Sequence, residues 1–289
     1  MILDLYVRKF FLAYLSFLTL LVMKPIVSRI RIYPIKALDP VELQEAEVGV
    51  HSLRYDREFA MITQDQRYMN SKRTGRVNEL KATYDLANYK VYLTPRAGGE
   101  VESFHLLNDK RKLEMYLENI FGEPLSLVQS KQGQLMDIPT ASSVTIVSEA
   151  SLKSLHEEFS DRTLEDVRLR FRATIELTGV DPYWEENLVG EPGVGMRIQV
   201  GDVEMIGVSP RARCNVPPRD PLTGITDKTF VKRMMKSREA TLPEKSHLPE
   251  YGNLYHLTIN TYIPESQKGK WLRVGDELKI LESVKLDGV

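Results

Sequence analysis

Residues 27–33 (VSRIRIY) alternate apolar and polar side chains, the period-two signature of a strand with one buried face. Pro34 ends that strand. The same pattern predicts strands over 41–50 and 58–63, then a meander over 80–86, 90–94 and 101–107, with PRAGG (95–99) as the turn between two of its strands. Asn108 is placed to cap a helix whose inner face carries Leu113, Tyr116, Leu117, Ile120 and Phe121. Gly122 stands where a left-handed residue closes such a helix, and 125–129 reads as a further strand.

The polar stretch 131–137 reads as a linker, dividing the chain into a first domain over 23–130 and a second over 131–289. In the second, 144–147 is a short buried strand, and Leu152, Leu155 and Phe159 recur at helical spacing. Residues 171–177 read as a strand, and 161–166 as a solvated face. Residues 229–239 read as a helix with Phe230, Met234 and Met235 inward. An internal echo, IQVGD at 198–202 and LRVGD at 272–276, suggests two hairpins and a closed or nearly closed barrel. The expected fold class is therefore mainly β with a few helices, an N-terminal β-barrel-like domain followed by a second β-barrel domain.

Residues 1–22 form a hydrophobic extension. The run 10–23 (FFLAYLSFLTLLVM) carries no charge, and as a helix it reaches only about 21 Å against a hydrocarbon core of about 30 Å. Three readings stand for it: a short membrane anchor, an extension ahead of a start at Met23, and a signal segment without a cleavage motif.

Composition narrows the functions. The 289 residues carry 39 Lys+Arg against 40 Asp+Glu, a net charge of -1, which argues against a nucleic-acid-coating surface. With one cysteine, Cys214, the chain offers no internal disulfide, redox pair, four-cysteine zinc site or cluster ligand set. No GxSxG elbow, HExxH pair or Walker lysine is present.

The densest unusual segment is SPRARCNVPPRDPLTG (209–224), a proline-broken loop after a predicted strand. Arg211 and Arg213 beside Cys214 favour a thiolate, a soft metal ligand or nucleophile, although a lone cysteine is also an ordinary small buried side chain. Lys36, Arg57, Arg170 and Arg172 could serve an anionic ligand, or stand as surface charges and local ion pairs. The basic run RYMNSKRTGR (67–76) reads as a solvated loop that could border an anionic site or a partner surface.

Taken together, YPIK (33–36), YDR (55–57), SEASL (148–152), RFR (170–172), Arg213-Cys214, DPLTG (220–224) and VGD (274–276) resemble the MOSC family. They are similar to its members with an N-terminal β-barrel domain, such as the mitochondrial amidoxime-reducing component and related bacterial reductases. That resemblance implies a molybdenum cofactor with Cys214 as metal ligand and catalytic centre. It implies cofactor contacts from Lys36, Arg57, Arg172 and Arg213, joined by Thr174 and by polar residues near Thr140 and Ser142. It implies a small-molecule substrate of N-hydroxylated or N-oxide type, an external electron-transfer protein, and no nucleic-acid partner. The expected location is cytoplasmic, with weak membrane association through residues 1–22. A sulfur or cofactor carrier using Cys214 is the alternative, and a binding module without turnover is a third. The family's lysine is usually followed by serine, its Arg-Phe-Arg by Pro-Asn, and serine often stands two before its cysteine; here these are Ala37, Ala173-Thr174 and Ala212.

Overall fold

The computed structural model describes residues 24–131, 135 and 144–286. The apolar N-terminal stretch, most of the expected linker, Thr140 and Ser142 lie outside the described residues.

The main element is an eight-stranded sheet in the order β15-β11-β12-β13-β9-β10-β1-β2. Its strands are β1 (Ile26–Ile32), β2 (Val41–Leu43), β9 (Thr145–Ser148), β10 (Ile175–Thr178), β11 (Val194–Val200), β12 (Val203–Ala212), β13 (His256–Tyr262) and β15 (Leu278–Lys285). All neighbours are antiparallel except β9 and β10. The sheet curls until the start of β1 meets the turn before β15. Val27 N–H donates to the Asp276 carbonyl at 2.8 Å, and Leu278 N–H to the Pro25 carbonyl at 2.8 Å. An antiparallel bridge between Ile26 and Glu277 joins the two, so the sheet is nearly closed, with β2 left as an edge strand beyond β1. The alternation seen in the sequence buries Ile30, Ile32, Ile146, Ile175, Ile198, Met205 and Ile259 in one core.

A second core lies under β4 (Phe59–Thr63) paired with β8 (Leu125–Gln129) and the meander β5 (Leu80–Asp85), β6 (Lys90–Pro95) and β7 (Glu102–His105). Helix α1 (Lys110–Phe121) packs Leu113, Leu117 and Phe121 into it. Asp109, not Asn108, precedes that helix, and its carboxylate accepts the His105 N–H at 3.0 Å. Gly122 is left-handed, as expected, with φ 77°.

A third core joins α2 (Glu149–Glu158), α3 (Leu164–Phe171) and α4 (Phe230–Ala240) through Leu152, Leu155, Phe159, Phe171, Phe230 and Met234.

Four expectations change. The stretch 41–50 is not one strand: it switches partner near Gln44, β2 pairing with β1 and β3 (Glu45–Glu47) with β14 (Trp271–Arg273). Residues 171–177 are not one strand, because α3 runs through Phe171 and Arg172 turns left-handed at φ 54° before β10. The solvated face expected over 161–166 covers only the first three residues of α3, whose start carries a capping signal. The Thr163 hydroxyl accepts the Asp166 N–H at 3.0 Å, and Glu165 and Asp166 fill the first turn. Of the two Gly-Asp turns, Gly201-Asp202 closes a hairpin between β11 and β12. Gly275-Asp276 links β14 to β15, which pair with different strands. No described helix is long and apolar enough to cross a membrane.

The SEASL motif builds a buried polar network at the start of α2. The Ser148 and Ser151 hydroxyls lie 2.6 Å apart, Ser151 accepts the Tyr183 N–H at 2.5 Å, and its hydroxyl donates to Glu185 Oε2 at 2.9 Å. Glu185 is 1% exposed, and its Oε1 has no partner among the described residues. Burial raises its carboxyl from 4.5 to about 7. A carboxyl raised in the folded state costs nothing where both states are protonated, below about pH 4.5. The cost then grows with pH and is complete above about pH 7, reaching about 3 kcal/mol. Glu185→Gln is therefore expected to stabilise the protein above pH 7 by up to about that amount. The gain should vanish towards pH 4.5 in urea melts; a pH-independent difference would refute this origin.

Candidate functional site

The two motifs of the first region meet through their backbones. Arg57 N–H donates to the Tyr33 carbonyl at 2.9 Å, Phe59 N–H to the Pro34 carbonyl at 3.0 Å, and Lys36 N–H to the Phe59 carbonyl at 2.7 Å. Tyr33 N–H in turn donates to Asp56 Oδ1 at 2.8 Å. This brings Lys36 and Arg57, distant in sequence, to one wall of a cavity of about 310 Å³. That volume is at the lower end of small-molecule sites, roughly 300–1,000 Å³.

The opposite wall comes from the second region. Cys214 lies just beyond the end of β12, and Arg172 at the C-terminal cap of α3. Both line the cavity, as does Arg213. Five of the expected site residues, Lys36, Arg57, Arg172, Arg213 and Cys214, are thus brought to one place. Thr174 is not a lining residue. It is buried behind Arg57, with its hydroxyl accepting from Arg57 Nη1 at 3.3 Å. Ser142 and Thr140 fall outside the described residues.

Each cation is held in its own way. Arg57 donates through Nη1 to both Asp56 oxygens at 2.6 and 2.5 Å and through Nη2 to the Arg172 carbonyl at 3.2 Å. Arg172 donates to the Leu38 carbonyl at 2.8 Å. Both guanidiniums lie over the buried Tyr33 ring, 4.3 and 3.9 Å from its centre. Lys36 Nζ sits 3.6 Å from the centre of the Tyr68 ring. Three non-glycine residues of the lining, Ala37, Arg57 and Arg172, have φ of 76°, 48° and 54°. Backbone of this kind costs on the order of 1 kcal/mol or more per residue and is retained where surrounding packing imposes it.

Arg213 is the most informative side chain. It donates through Nη2 to the Phe171 carbonyl at 3.0 Å and lies over the Phe171 ring. Its Nε and Nη1 are sealed from solvent without a partner among the described residues. Burial pulls its guanidinium below the ordinary arginine range, while the adjacent Cys214 acts in the opposite sense. Burial also lowers Arg172, and neighbouring Arg57 lowers it further. Buried N–H groups without acceptors, on cations whose charge is disfavoured, call for an anion.

The lining contains eight cationic side chains and one carboxylate, Asp39, which is already held by Arg96 at 2.6 Å. The eight are not equivalent. Arg170, 3% exposed, is spent on structure: it donates to the Pro217 and Arg219 carbonyls at 2.8 and 2.7 Å and pairs with Asp166 at 2.5 Å. It clamps the loop that follows Cys214, a role that its place in the RFR motif does not reveal. Asn70, Ser71 and Lys72, from the basic run read as a solvated loop, also line the cavity. The signal for them was the run's excess of charge with no apolar period. Tyr255 supports the cysteine from β13's side, its hydroxyl donating to the Cys214 carbonyl at 3.2 Å.

The donor set fits a phosphorylated cofactor bound through one thiolate: a single soft sulfur and several fixed cations share one cavity. No group of three or more His, Cys, Asp or Glu side chains is arranged to hold a metal ion among the described residues.

No curated protein matches the chain. A crystal structure of the YUAD protein from Bacillus subtilis is similar over 89% of this chain and 95% of that one, at 9% identity and a TM-score of 0.37. The model of the MOSC N-terminal beta barrel domain matches residues 24–118, which include Lys36 and Arg57. The model of the MOSC domain matches residues 120–279, which carry Arg172, Arg213 and Cys214. Both walls of the cavity therefore fall within matched regions, and the chain belongs to the MOSC-domain family.

Proposed function

We propose that this chain is an oxidoreductase that holds a molybdenum cofactor in the cavity and reduces N-hydroxylated or N-oxide compounds with electrons from a separate protein. MOSC domains are associated with molybdenum-cofactor sulfurases and oxidoreductase-type proteins. The observation that carries the reading is the meeting of Cys214 with Arg213, two of whose buried N–H groups lack acceptors.

In this reading Cys214 provides the protein's sulfur ligand. Arg57, Arg172 and Lys36 hold the phosphate of the cofactor, with Tyr33 and Asp56 fixing the first two in place. Arg213, next to Cys214 in the lining, favours an anionic sulfur on its neighbour. Arg170 keeps the loop after Cys214 in one conformation. When bound, the cofactor supplies two-electron oxygen-atom transfer; the protein binds, orients and sets the field.

The test is reduction of an N-hydroxylated amidine by the cofactor-loaded protein with a chemically reduced dye as donor. Turnover is expected; a fully loaded protein inert towards N-hydroxylated and N-oxide compounds would refute the reductase reading. Arg172→Ala should weaken cofactor retention by about 1.5–3 kcal/mol, the contribution of a charge-assisted hydrogen bond. That is roughly a 10- to 150-fold loss of affinity, measured by pterin release on dilution. Unchanged retention would remove Arg172 from the phosphate site.

A further inference from the structure

The hairpin that follows Cys214 has two sides. Its inner side contributes Arg219 and Pro221 to the cavity. Its outer side presents two apolar side chains to solvent, Leu222 at 50% and Ile225 at 71% exposure. This is not a slack loop. Asp220 Oδ1 accepts the Leu222 N–H at 3.0 Å, the Thr223 N–H at 2.8 Å and the Thr223 hydroxyl at 3.0 Å. Asp220 N–H donates to the Ile225 carbonyl at 2.8 Å, and Gly224 N–H to the Asp220 carbonyl at 2.9 Å. The fold fixes two large apolar groups outward on the hairpin that also lines the charged cavity.

Their surroundings are basic. Gly224, at φ 72°, touches Gly75 so closely that a Cβ on it would lie 2.4 Å from the Gly75 carbonyl oxygen. Asn78 Nδ2 donates to the Pro221 carbonyl at 3.3 Å. The loop bearing Lys72 and Arg76, both exposed, therefore lies directly against the hairpin. Exposed Lys228 follows on the other side. The carboxylate of Asp220 is turned into its own loop, and Asp227 is paired with Arg162. Arg73 is neutralised by Asp65 and Glu123.

We propose that this rim is the docking surface for an acidic electron-transfer protein, with Leu222 and Ile225 at the apolar centre of the contact and Arg76 and Lys228 at its basic edge. The proposal rests on the reductase reading and names the kind of donor. An apolar centre within a charged periphery is the composition of a protein-binding patch, and opposite charge steers encounter. A protein donor is favoured over a lipid surface because the hairpin that carries the patch also lines the cavity through Arg219 and Pro221. A bilayer seated there would cap the cavity against a polar substrate, whereas a redox carrier must come close to it.

The experiment uses the full chain and an acidic flavodoxin as probe. Leu222→Ser with Ile225→Ser, and separately Lys228→Glu, should each weaken flavodoxin binding tenfold or more by calorimetry. High salt should weaken wild-type binding and abolish the effect of Lys228→Glu. In the loaded enzyme the apolar double variant should raise the KM for reduced flavodoxin tenfold and leave dithionite-driven turnover unchanged. Wild-type affinity in both variants, no flavodoxin binding by the wild type, or binding of phosphatidylserine vesicles through these residues instead would overturn the proposal. Failure of dithionite-driven turnover in the wild type would count against the reductase reading, while the calorimetry judges the surface separately.

Discussion

Cys214→Ser is expected to strip the protein of molybdenum while leaving the fold in place. The side chain is half-buried at the cavity wall, and its backbone, not its sulfur, carries the contact to Tyr255. Serine preserves that contact and nearly the same volume, so the melting temperature should move by no more than about 2–4 °C, the shift of roughly a 1 kcal/mol change in a protein of this size. What changes is the ligand. A hydroxyl neither ionises near neutral pH nor offers a soft donor to the metal. Molybdenum measured by mass spectrometry should fall at least tenfold relative to wild type. Full loading in the serine variant would end the ligand role of Cys214. A persulfide on wild-type Cys214 without metal would favour the carrier alternative.

Arg170→Ala is expected to be strongly destabilising, by about 2–3 kcal/mol, because it leaves the buried Pro217 carbonyl, the part-buried Arg219 carbonyl and the part-buried Asp166 carboxylate without their donor. Arg170, braced by Asp166 one turn earlier in α3, joins that helix to Pro217, Arg219 and Asp220. Its loss should loosen the segment between Cys214 and α4, seen as faster amide exchange over residues 215–227 than elsewhere. Arg170→Lys should not rescue it, since an ammonium cannot reproduce a planar fork serving acceptors on several sides. A loss below about 1 kcal/mol with unchanged exchange would show that the loop is held by other contacts.

The sequence displayed the strands well where one face is buried. Residues 27–33, 90–94 and 125–129 alternate because each lays one face on a core, 58–63 is an apolar run buried on both faces, and the boundaries of all four fall within a residue or two of the observed strands. It was least legible where partner choice, not burial, decides. Nothing in the composition of 41–50 states that Val41–Leu43 joins one sheet and Glu45–Glu47 another. The strand expected over 171–177 failed because Phe171 is apolar in either setting. Only the cap at Thr163 marks the helix that contains it.

For the site, the residues that reach the cavity with a charge or a sulfur were visible as types. Their convergence was not, because Lys36 and Arg57 lie more than a hundred residues from Arg172 and Cys214 and are united by tertiary structure alone. The division of labour among cations was also hidden. Arg170 and Arg172 are two residues apart in one motif, yet the first is buried in four hydrogen-bonded partners and the second faces the cavity. Thr174 was assigned a cofactor contact, but it lies behind Arg57, which it helps to position.

The measurement that bears most directly on the whole account is the metal and pterin content of the wild-type protein freshly purified from cells that make the cofactor. The account predicts molybdenum and pterin in equal amounts, near one of each per chain. Protein with neither, and with Cys214 freely alkylated, would contradict it.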